Sequence, residues 1–191
     1  MKKYFYMVTL MICVTVTTVN AQRLLPGQKG IEISWGGLST RIPSQDYFLN
    51  IGLSSNGKYG NYWLWSFEYT HRNSPYDTQH ETIQLPVETY SVQGGRSFYL
   101  LGDFRKTITL NFGVMAIAGY ESINRGAGIL PDGARIEDKN GFIYGAGSRL
   151  SLEMYLSNRF VFLLKGGINI LWGTSIQQIR PGAGIGLRFN F

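Results

Sequence analysis

The last ten residues of the chain, GAGIGLRFNF at positions 182–191, alternate without exception between two kinds of side chain. The odd positions are apolar and end in Phe189 and Phe191, whereas the even positions hold only glycine, Arg188 and Asn190. A period of two is that of a β-strand with two different faces. Such a strand fits a soluble sheet with one wet face. It equally fits a strand between lipid and a polar barrel interior, where a C-terminal aromatic residue is typical.

The N-terminal segment predicts that the chain is exported. Lys2 and Lys3 precede an uncharged stretch at 4–19, and a small-x-small cleavage pattern ends at Ala21. These are the features of a secretory signal peptide, so we expect residues 1–21 to be removed. The stretch is short and rich in threonine and valine, which makes an uncleaved membrane anchor the weaker interpretation.

Composition limits what the mature chain, 22–191, can be. Its roughly 170 residues suit a single domain. The only cysteine, Cys13, lies in the signal peptide, which excludes disulfides and thiolate metal sites from the mature chain. Loss of Lys2 and Lys3 lowers the formal net charge from +6 to +4, and the basic residues are scattered, so we expect no direct nucleic-acid binding. Few charges, many aromatic residues and no later stretch long enough for a membrane helix are typical of an outer-membrane barrel.

Period-two alternation recurs along the chain, and helical periodicity is nearly absent. In the fourth segment the apolar residues change parity, and we expect Pro86 or Gly94-Gly95 to mark a bulge there. The eight predicted strands are 30–38, 46–54, 60–72, 82–101, 107–121, 141–156, 159–172 and 182–191.

The connections between these strands alternate between long and short. An outer-membrane barrel with both termini in the periplasm has long outer loops and short periplasmic turns, whereas a soluble sandwich has no reason to alternate. The sequence therefore predicts an all-β fold, a closed antiparallel eight-stranded up-and-down β-barrel of outer-membrane type. The expected location is the outer membrane of a Gram-negative bacterium. A soluble periplasmic eight-stranded barrel that binds an apolar ligand is the alternative. The long connections are 39–45, 73–81, 122–140 and 173–180, and the short ones are 55–59, 102–106 and 157–158.

Five charged residues have the parity of the barrel interior. Because an eight-stranded barrel is only wide enough for side chains to fill it, charges inside need partners. We predict a salt-bridged plug, although residues near a barrel mouth would simply be solvated. The five residues are Glu68, Arg149, Glu153, Lys165 and Arg188.

Six aromatic residues have the opposite, outward parity. They are candidates for the girdles that mark the two membrane interfaces. In a soluble barrel they would instead be core residues. They are Trp63, Trp65, Tyr144, Trp172, Phe189 and Phe191.

Residues suited to catalysis are scarce. His71 and His80 lie near Ser74, Asp77 and Glu81, and an outer-membrane lipid-modifying enzyme would place such residues at its outer rim. Their spacing matches no catalytic motif, and no third metal ligand is evident. The GAGIG string lies within a strand and does not open a helix, which argues against a nucleotide site. We therefore expect no enzymatic activity, no cofactor and no metal.

The longest connection, 122–140, carries an apolar centre flanked by charges. Ile129 and Leu130 lie between Arg125 and Arg135. An exposed apolar tip of this kind suits a partner-binding surface. A loop that folds over the barrel mouth fits equally well.

Several strings, in order along nearly the whole mature chain, resemble the TraO family of conjugal transfer proteins carried by Bacteroides-type conjugative transposons. The strings are QRLLPGQKGIEISWGGLS, LPVETYSVQGGRSFYLL, AGYESIN, LPDGARIEDKNGFIYGAG, LEMYLSNRFVFLL and GIGLRFNF. The resemblance implies an envelope component of the apparatus that passes DNA between cells, with outer-membrane lipid and other conjugation proteins as partners.

Barrel size restricts the role that this resemblance implies. An eight-stranded barrel is too narrow to pass DNA, so the expected role is accessory or anchoring unless several copies surround a channel. The alternative is a small porin-like or adhesion barrel unrelated to conjugation.

Overall fold

The computed structural model describes residues 25–38, 46–77, 82–124, 140–174 and 176–191. The predicted signal peptide, 1–21, lies outside this part of the chain. So do the predicted loop residues Arg125, Ile129, Leu130 and Arg135. Within the described ranges, no helix is long and apolar enough to cross a bilayer.

Eight antiparallel strands form one closed barrel in chain order, and β8 pairs with β1. The predicted fold class is therefore confirmed. Closure leaves no free sheet edge, so the backbone groups of every strand have a neighbour on both sides. The strands are β1 Lys29–Gly37, β2 Tyr47–Asn56, β3 Tyr62–Asp77, β4 Thr82–Gly102, β5 Ile108–Ile123, β6 Asn140–Tyr155, β7 Phe160–Trp172 and β8 Ile179–Asn190, with a 3-10 turn at Lys58–Gly60 between β2 and β3.

The closing pair of strands accounts for the alternation at the end of the sequence. Ile33 of β1 lies opposite Leu187 of β8, and both face outward and are exposed. Glu32 lies opposite Arg188, and both face inward and are fully buried. Because successive strand residues point to opposite sides, this single register makes one surface apolar and the other polar.

The predicted bulge at Pro86 or Gly94-Gly95 is wrong. β4 pairs with β3 in one continuous register from Thr82 to Ser97, and its register shift against β5 lies between Tyr99 and Leu101. The apparent change of parity arises because Val87 faces the interior, where it is buried, whereas Tyr90 and Val92 face outward.

The outer connection predicted at 73–81 is shorter than expected. β3 continues to Asp77 and β4 begins at Thr82, because the two strands keep pairing beyond the predicted end at Arg72. β8 likewise begins at Ile179, three residues before the predicted 182. The strand pairs thus rise above the apolar band at this end of the barrel, here called the loop end. The opposite end, which carries Lys29 and Phe191, is the terminal end.

A short turn between β4 and β5 at the terminal end is organised by Asp103. Its Oδ1 accepts a hydrogen bond from the Ile108 backbone N–H at 2.8 Å, and its Oδ2 accepts one from the Arg105 N–H at 3.3 Å. The Ile108 bond, followed by weaker ones from Thr107 and Arg105, holds the pKa of Asp103 below its ordinary value. Side chain-to-backbone bonds of this kind define tight turns.

Inward-facing glycines let the backbone and one ring approach closely near the loop end. A Cβ at Gly36 would lie 2.2 Å from the Ala183 carbonyl oxygen and 2.6 Å from Cε1 of Phe48. A Cβ at Gly184 would lie 2.8 Å from Cζ of the same phenyl ring. The Phe48 ring therefore occupies the space that two side chains would otherwise take.

We expect Gly36→Ala to prevent most of the protein from assembling, because the nearest obstacle is backbone of the paired strand and has no room to move. The measurement is the folded fraction in unheated gel mobility after refolding into lipid vesicles. Gly166→Ala is the matched control, since a Cβ at Gly166 meets nothing within 4 Å. Equal folded fractions for the two variants would contradict this account.

Candidate functional site

One buried carboxylate at the centre of the barrel holds three cations. Glu32 Oε1 accepts hydrogen bonds from Lys165 Nζ at 2.7 Å and from Arg149 Nη1 at 3.4 Å. Its Oε2 accepts from Arg188 Nη2 at 2.9 Å and Nε at 3.2 Å. The three cations come from β6, β7 and β8, so this carboxylate ties β1 to the three strands that adjoin it on one side of the closed barrel.

A second carboxylate, Glu153, completes the same network. It accepts from Arg188 Nη1 at 3.0 Å and from the Tyr62 and Tyr155 hydroxyls at 2.7 and 3.2 Å. The Arg188 guanidinium also lies 4.5 Å from the centre of the Tyr62 ring. Arg188 is thus held between two carboxylates and an aromatic face, which compensates for its removal from water.

The structure brings together four of the five residues predicted to form the plug, namely Arg149, Glu153, Lys165 and Arg188. Glu68 lies outside this cluster and forms no ion pair within 4 Å among the described residues. Its carboxylate accepts instead from Asn50 Nδ2 at 3.2 Å.

A small cavity explains why Glu68 stands apart. This space of about 60 Å³ is lined by Glu68 on one side and by Arg149 and Lys165 on another. The central network has three cations and two carboxylates, and Glu68 lines the same cavity as two of those cations. The cavity is polar and large enough for water, which can bridge the two sides.

Glu32 is the member of the central network that the sequence prediction missed. The signal was present, because Ile31 and Ile33 have the outward parity and the residue between them must face inward. Position along the strand decides which inward carboxylate meets a cation. Glu32 lies opposite Arg188, whereas Glu68 lies opposite Asn50 and Ser91.

A second polar network closes the interior toward the loop end. Arg180 forms a very short ion pair with Glu121, and its guanidinium also donates to Thr89 Oγ1 at 3.2 Å and to Thr174 Oγ1 at 2.8 Å. The Thr174 hydroxyl donates in turn to Glu121 Oε1 at 2.7 Å. Two networks of paired side chains therefore cross the lumen, one at its centre and one toward the loop end.

The six aromatic residues predicted for the girdles all face outward, with between 38% and 62% of their surface exposed. Tyr144 and Trp172 stack at the loop end with ring centres 6.1 Å apart. Phe189 packs against Phe160 at the terminal end, at 5.2 Å. The exterior is thus an apolar band with aromatic rings toward both ends, the arrangement of a barrel in lipid.

Of the residues weighed as a catalytic cluster, the structure describes the side chains of His71 and Ser74. His71 stacks on the Tyr47 ring with centres 5.5 Å apart, and His80 lies outside the described ranges. Among the described residues, no group of three or more histidine, cysteine, aspartate or glutamate side chains could hold a metal ion.

A model of the family described as "Conjugative transposon protein TraO" matches residues 25–191. The chain belongs to the TraO family. The match covers all eight strands, so the family resemblance of the sequence is confirmed for the whole barrel of this TraO-family chain. No curated protein matches it significantly.

Solved structures similar to this TraO-family chain are outer-membrane barrels at low sequence identity. Neisserial surface protein A is 12% identical with a TM-score of 0.56, covering 86% of this chain and 96% of that one. Ail, the attachment invasion locus protein of Yersinia pestis, is 14% identical with a TM-score of 0.55, covering 87% and 100%. A major outer membrane protein from Thermus thermophilus is 8% identical with a TM-score of 0.55, covering 86% and 98%. At these identities the likeness establishes the fold.

Proposed function

We propose that this chain is an outer-membrane barrel that serves the conjugative DNA-transfer apparatus in an accessory or anchoring role and is not itself the DNA channel. The observation that carries this proposal is the filled lumen. A buried network on Glu32 crosses the barrel at its centre, and a second network on Arg180 crosses it toward the loop end. Family membership supplies the link to conjugation.

Placement in the outer membrane is supported by the two-faced strands. The outward residues form an apolar surface that would be unfavourable in water, because contiguous exposed apolar patches of this extent are rare on soluble proteins. The interior holds many polar and charged residues beside small apolar clusters, whereas a soluble barrel core is mainly apolar. The predicted signal peptide supports export across the inner membrane.

A direct role in moving DNA is disfavoured on physical grounds. Eight strands enclose an interior that side chains fill, and the charged groups there pair with one another and leave no row of cations for phosphates. DNA transfer through this chain would require several copies around a shared channel. The surfaces left for function are the connections at the loop end and the turns at the terminal end. We accordingly assign it no enzymatic activity, cofactor or direct nucleic-acid contact.

The alternative role, a small porin-like or adhesion barrel unrelated to conjugation, has less support. The filled lumen argues against a porin-like pore, and the family match argues for conjugation. Deleting the gene and scoring transfer frequency between cells distinguishes the two, since only a transfer component lowers that frequency. Fractionation of the same cells tests the location, because we expect the folded protein to extract with detergent from outer membranes.

The proposed placement in lipid makes a direct spectroscopic prediction. All four tryptophans face outward and are about half exposed, at 44–59%. We expect lipids brominated along their acyl chains to quench most tryptophan fluorescence of the protein folded in vesicles. Single-tryptophan versions that keep only Trp63 or only Trp172 should be quenched most by bromines near the headgroup, since these rings lie toward the two ends. Fluorescence insensitive to lipid quenchers, or a mature protein that stays monodisperse without detergent, would contradict the placement.

A further inference from the structure

We propose that the outward surface between β3 and β4, here called the β3–β4 seam, binds the phosphate group of an anionic glycerophospholipid through Arg96. This site rests on the outer-membrane placement proposed above and deepens it by naming one lipid that the barrel holds. The site lies toward the terminal end, because Arg96 of β4 is paired there with Trp63, the second residue of β3.

Arg96 is an outward-facing cation within the apolar band. It is exposed, and the residues paired with it on its two neighbouring strands, Trp63 and Val114, are 50% and 49% exposed. Among the lysines and arginines of the described strands, Lys29 alone shares this orientation, and it is the first residue of β1. A charge on the lipid face is unfavourable unless it reaches the membrane interface or meets an anion there.

The Arg96 guanidinium lies beside two aromatic rings and has no carboxylate within 4 Å in the part of the chain described. Its Cζ is 5.6 Å from the centre of the Trp63 ring and 5.6 Å from the centre of the Phe98 ring. Phe98 is closer than Arg96 to the end of β4 at Gly102, so the side chain extends toward the terminal end, as an arginine does when it brings its charge to the interface. The rings attract the cation but accept no conventional hydrogen bond, so the guanidinium N–H groups are available to an acceptor outside the chain.

A lipid phosphate is the acceptor that this position favours. The phosphates of a leaflet lie at its interface, and a guanidinium pairs with a phosphate through two parallel hydrogen bonds. The acyl chains of a lipid held there would run along Trp65, Phe67 and Val92, outward side chains of the same seam that are 47–59% exposed. A Cβ at Gly94 would lie 2.4 Å from Cζ3 of Trp65, so this ring fills the space beside the glycine. The seam thus offers a phosphate-binding group next to a continuous apolar surface.

The turns on either side of the seam favour a lipid with a net negative charge. Lys58 lies in the turn that enters β3, and Arg105 and Lys106 lie in the turn that leaves β4. All three are exposed, and the carboxylate of Asp103 in the second turn accepts hydrogen bonds from backbone N–H groups. With three cations and one carboxylate, the two turns carry a net charge of +2. Such a cluster attracts anionic headgroups, whereas the choline of a zwitterionic lipid already neutralises its own phosphate.

The test measures which lipid lies next to Trp63. A version of the full mature protein that keeps only Trp63 is folded in vesicles of phosphatidylcholine mixed with phosphatidylglycerol, and one of the two lipids at a time carries bromines on its acyl chains. We expect brominated phosphatidylglycerol to occupy the place beside Trp63 about fivefold more readily than brominated phosphatidylcholine, the preference that one cation near a membrane surface gives.

Two variants locate this preference. Arg96→Gln removes the charge and should lower the preference at Trp63 from about fivefold to below about twofold. Arg159→Gln is the matched control, since it removes the same charge from the same end of the barrel, but from the β6–β7 turn three strands further round, and should leave the preference unchanged. Unheated gel mobility verifies that each variant is folded. A preference that is unchanged in folded Arg96→Gln would overturn the proposal.

The comparison of the two lipids in the protein that retains Arg96 tests the site even if Arg96→Gln fails to fold. Equal quenching of Trp63 by both lipids would overturn the lipid site and leave the membrane placement intact. If no brominated lipid quenches Trp63 in a protein whose Trp172 is quenched, a protein surface covers the seam and the proposed lipid site is wrong. If neither tryptophan is quenched, the membrane placement itself fails, and the lipid site fails with it.

Discussion

Glu32→Gln is expected to lower the free energy of unfolding of the barrel by about 3–5 kcal/mol, the cost of removing one partner of a buried charge cluster. The three cations that share this carboxylate stay buried, and the net charge of the network rises from +1 to +2. A glutamine is nearly the same size, so the loss would reflect charge and hydrogen bonding and would not reflect a cavity. Urea titration of the protein folded in lipid vesicles, followed by tryptophan fluorescence, measures the change.

Glu88→Gln is the matched control for this prediction. Glu88 lies on the outward face of β4 and accepts a hydrogen bond from the Tyr90 hydroxyl at 3.3 Å in an exposed position. Surface substitutions of this kind change stability by no more than about 0.5 kcal/mol. A loss for Glu32→Gln that is no larger than the loss for Glu88→Gln would show that the central network contributes nothing to stability.

A double-mutant cycle separates the ion pair from its surroundings. Lys165→Met removes the cation closest to Glu32, whose Nζ lies 2.7 Å from Oε1. In the Glu32→Gln/Lys165→Met variant the excess charge of the network returns to +1. We therefore expect the double variant to be more stable than the sum of the single losses predicts, by about 1 kcal/mol or more. Strictly additive losses would mean that the two side chains are not coupled.

The alternation of inward and outward side chains along each strand can be predicted from the sequence, and most of the fold follows from it. The alternation of apolar and polar residues at 182–191 identifies which side of β8 faces lipid, and the same period assigned Lys165 and Glu153 to the interior. Alternating connection lengths then fixed the order of neighbours, because hairpins join adjacent strands. These properties are local, and each is visible within about ten residues of chain.

Contacts across the barrel cannot be predicted from the sequence, because they depend on the register of each strand against its neighbour. Glu32 and Lys165 are 133 residues apart and meet only because the register of every strand pair between them adds up to bring them level. Glu68 has the same inward parity but lies at a different height, where it faces a cavity and not a cation. Arg180 falls in the predicted connection 173–180, where strand parity gives no direction for its side chain, so the sequence does not predict its pair with Glu121.

Removal of residues 124–138 is expected to lower conjugative transfer sharply while leaving the barrel assembled. The segment joins β5 to β6, whose last pair is Ser122 with Asn140, so deletion leaves only Ile123 and Lys139 between paired residues. Two residues are a standard hairpin length, and a second version with Ile123→Asn and Lys139→Gly gives that hairpin its preferred turn residues. The barrel should therefore close as before, which unheated gel mobility verifies.

Point substitutions test separately the apolar centre of the loop and the cations that flank it. Ile129→Ser with Leu130→Ser removes the apolar centre, whereas Arg125→Gln with Arg135→Gln removes the flanking cations. If the loop is a partner-binding surface, loss of its apolar anchors costs at least about 2 kcal/mol of binding, or roughly thirtyfold in affinity, and transfer frequency falls accordingly. The charge variants are expected to act more weakly, because exposed rim charges contribute mainly to association rate.

A variant at the terminal end of the barrel serves as the comparison for the deletion of 124–138. Arg105→Ser with Lys106→Ser changes an exposed turn on the opposite side of the proposed membrane. If transfer falls for this variant and not for the deletion of 124–138, the working surface lies at the terminal end, and the chain acts by anchoring periplasmic components. If transfer is unchanged for both but lost when the gene is deleted, neither surface is the point of attachment. Transfer that survives gene deletion would remove the conjugative role altogether, since no part of the barrel would then be needed for it.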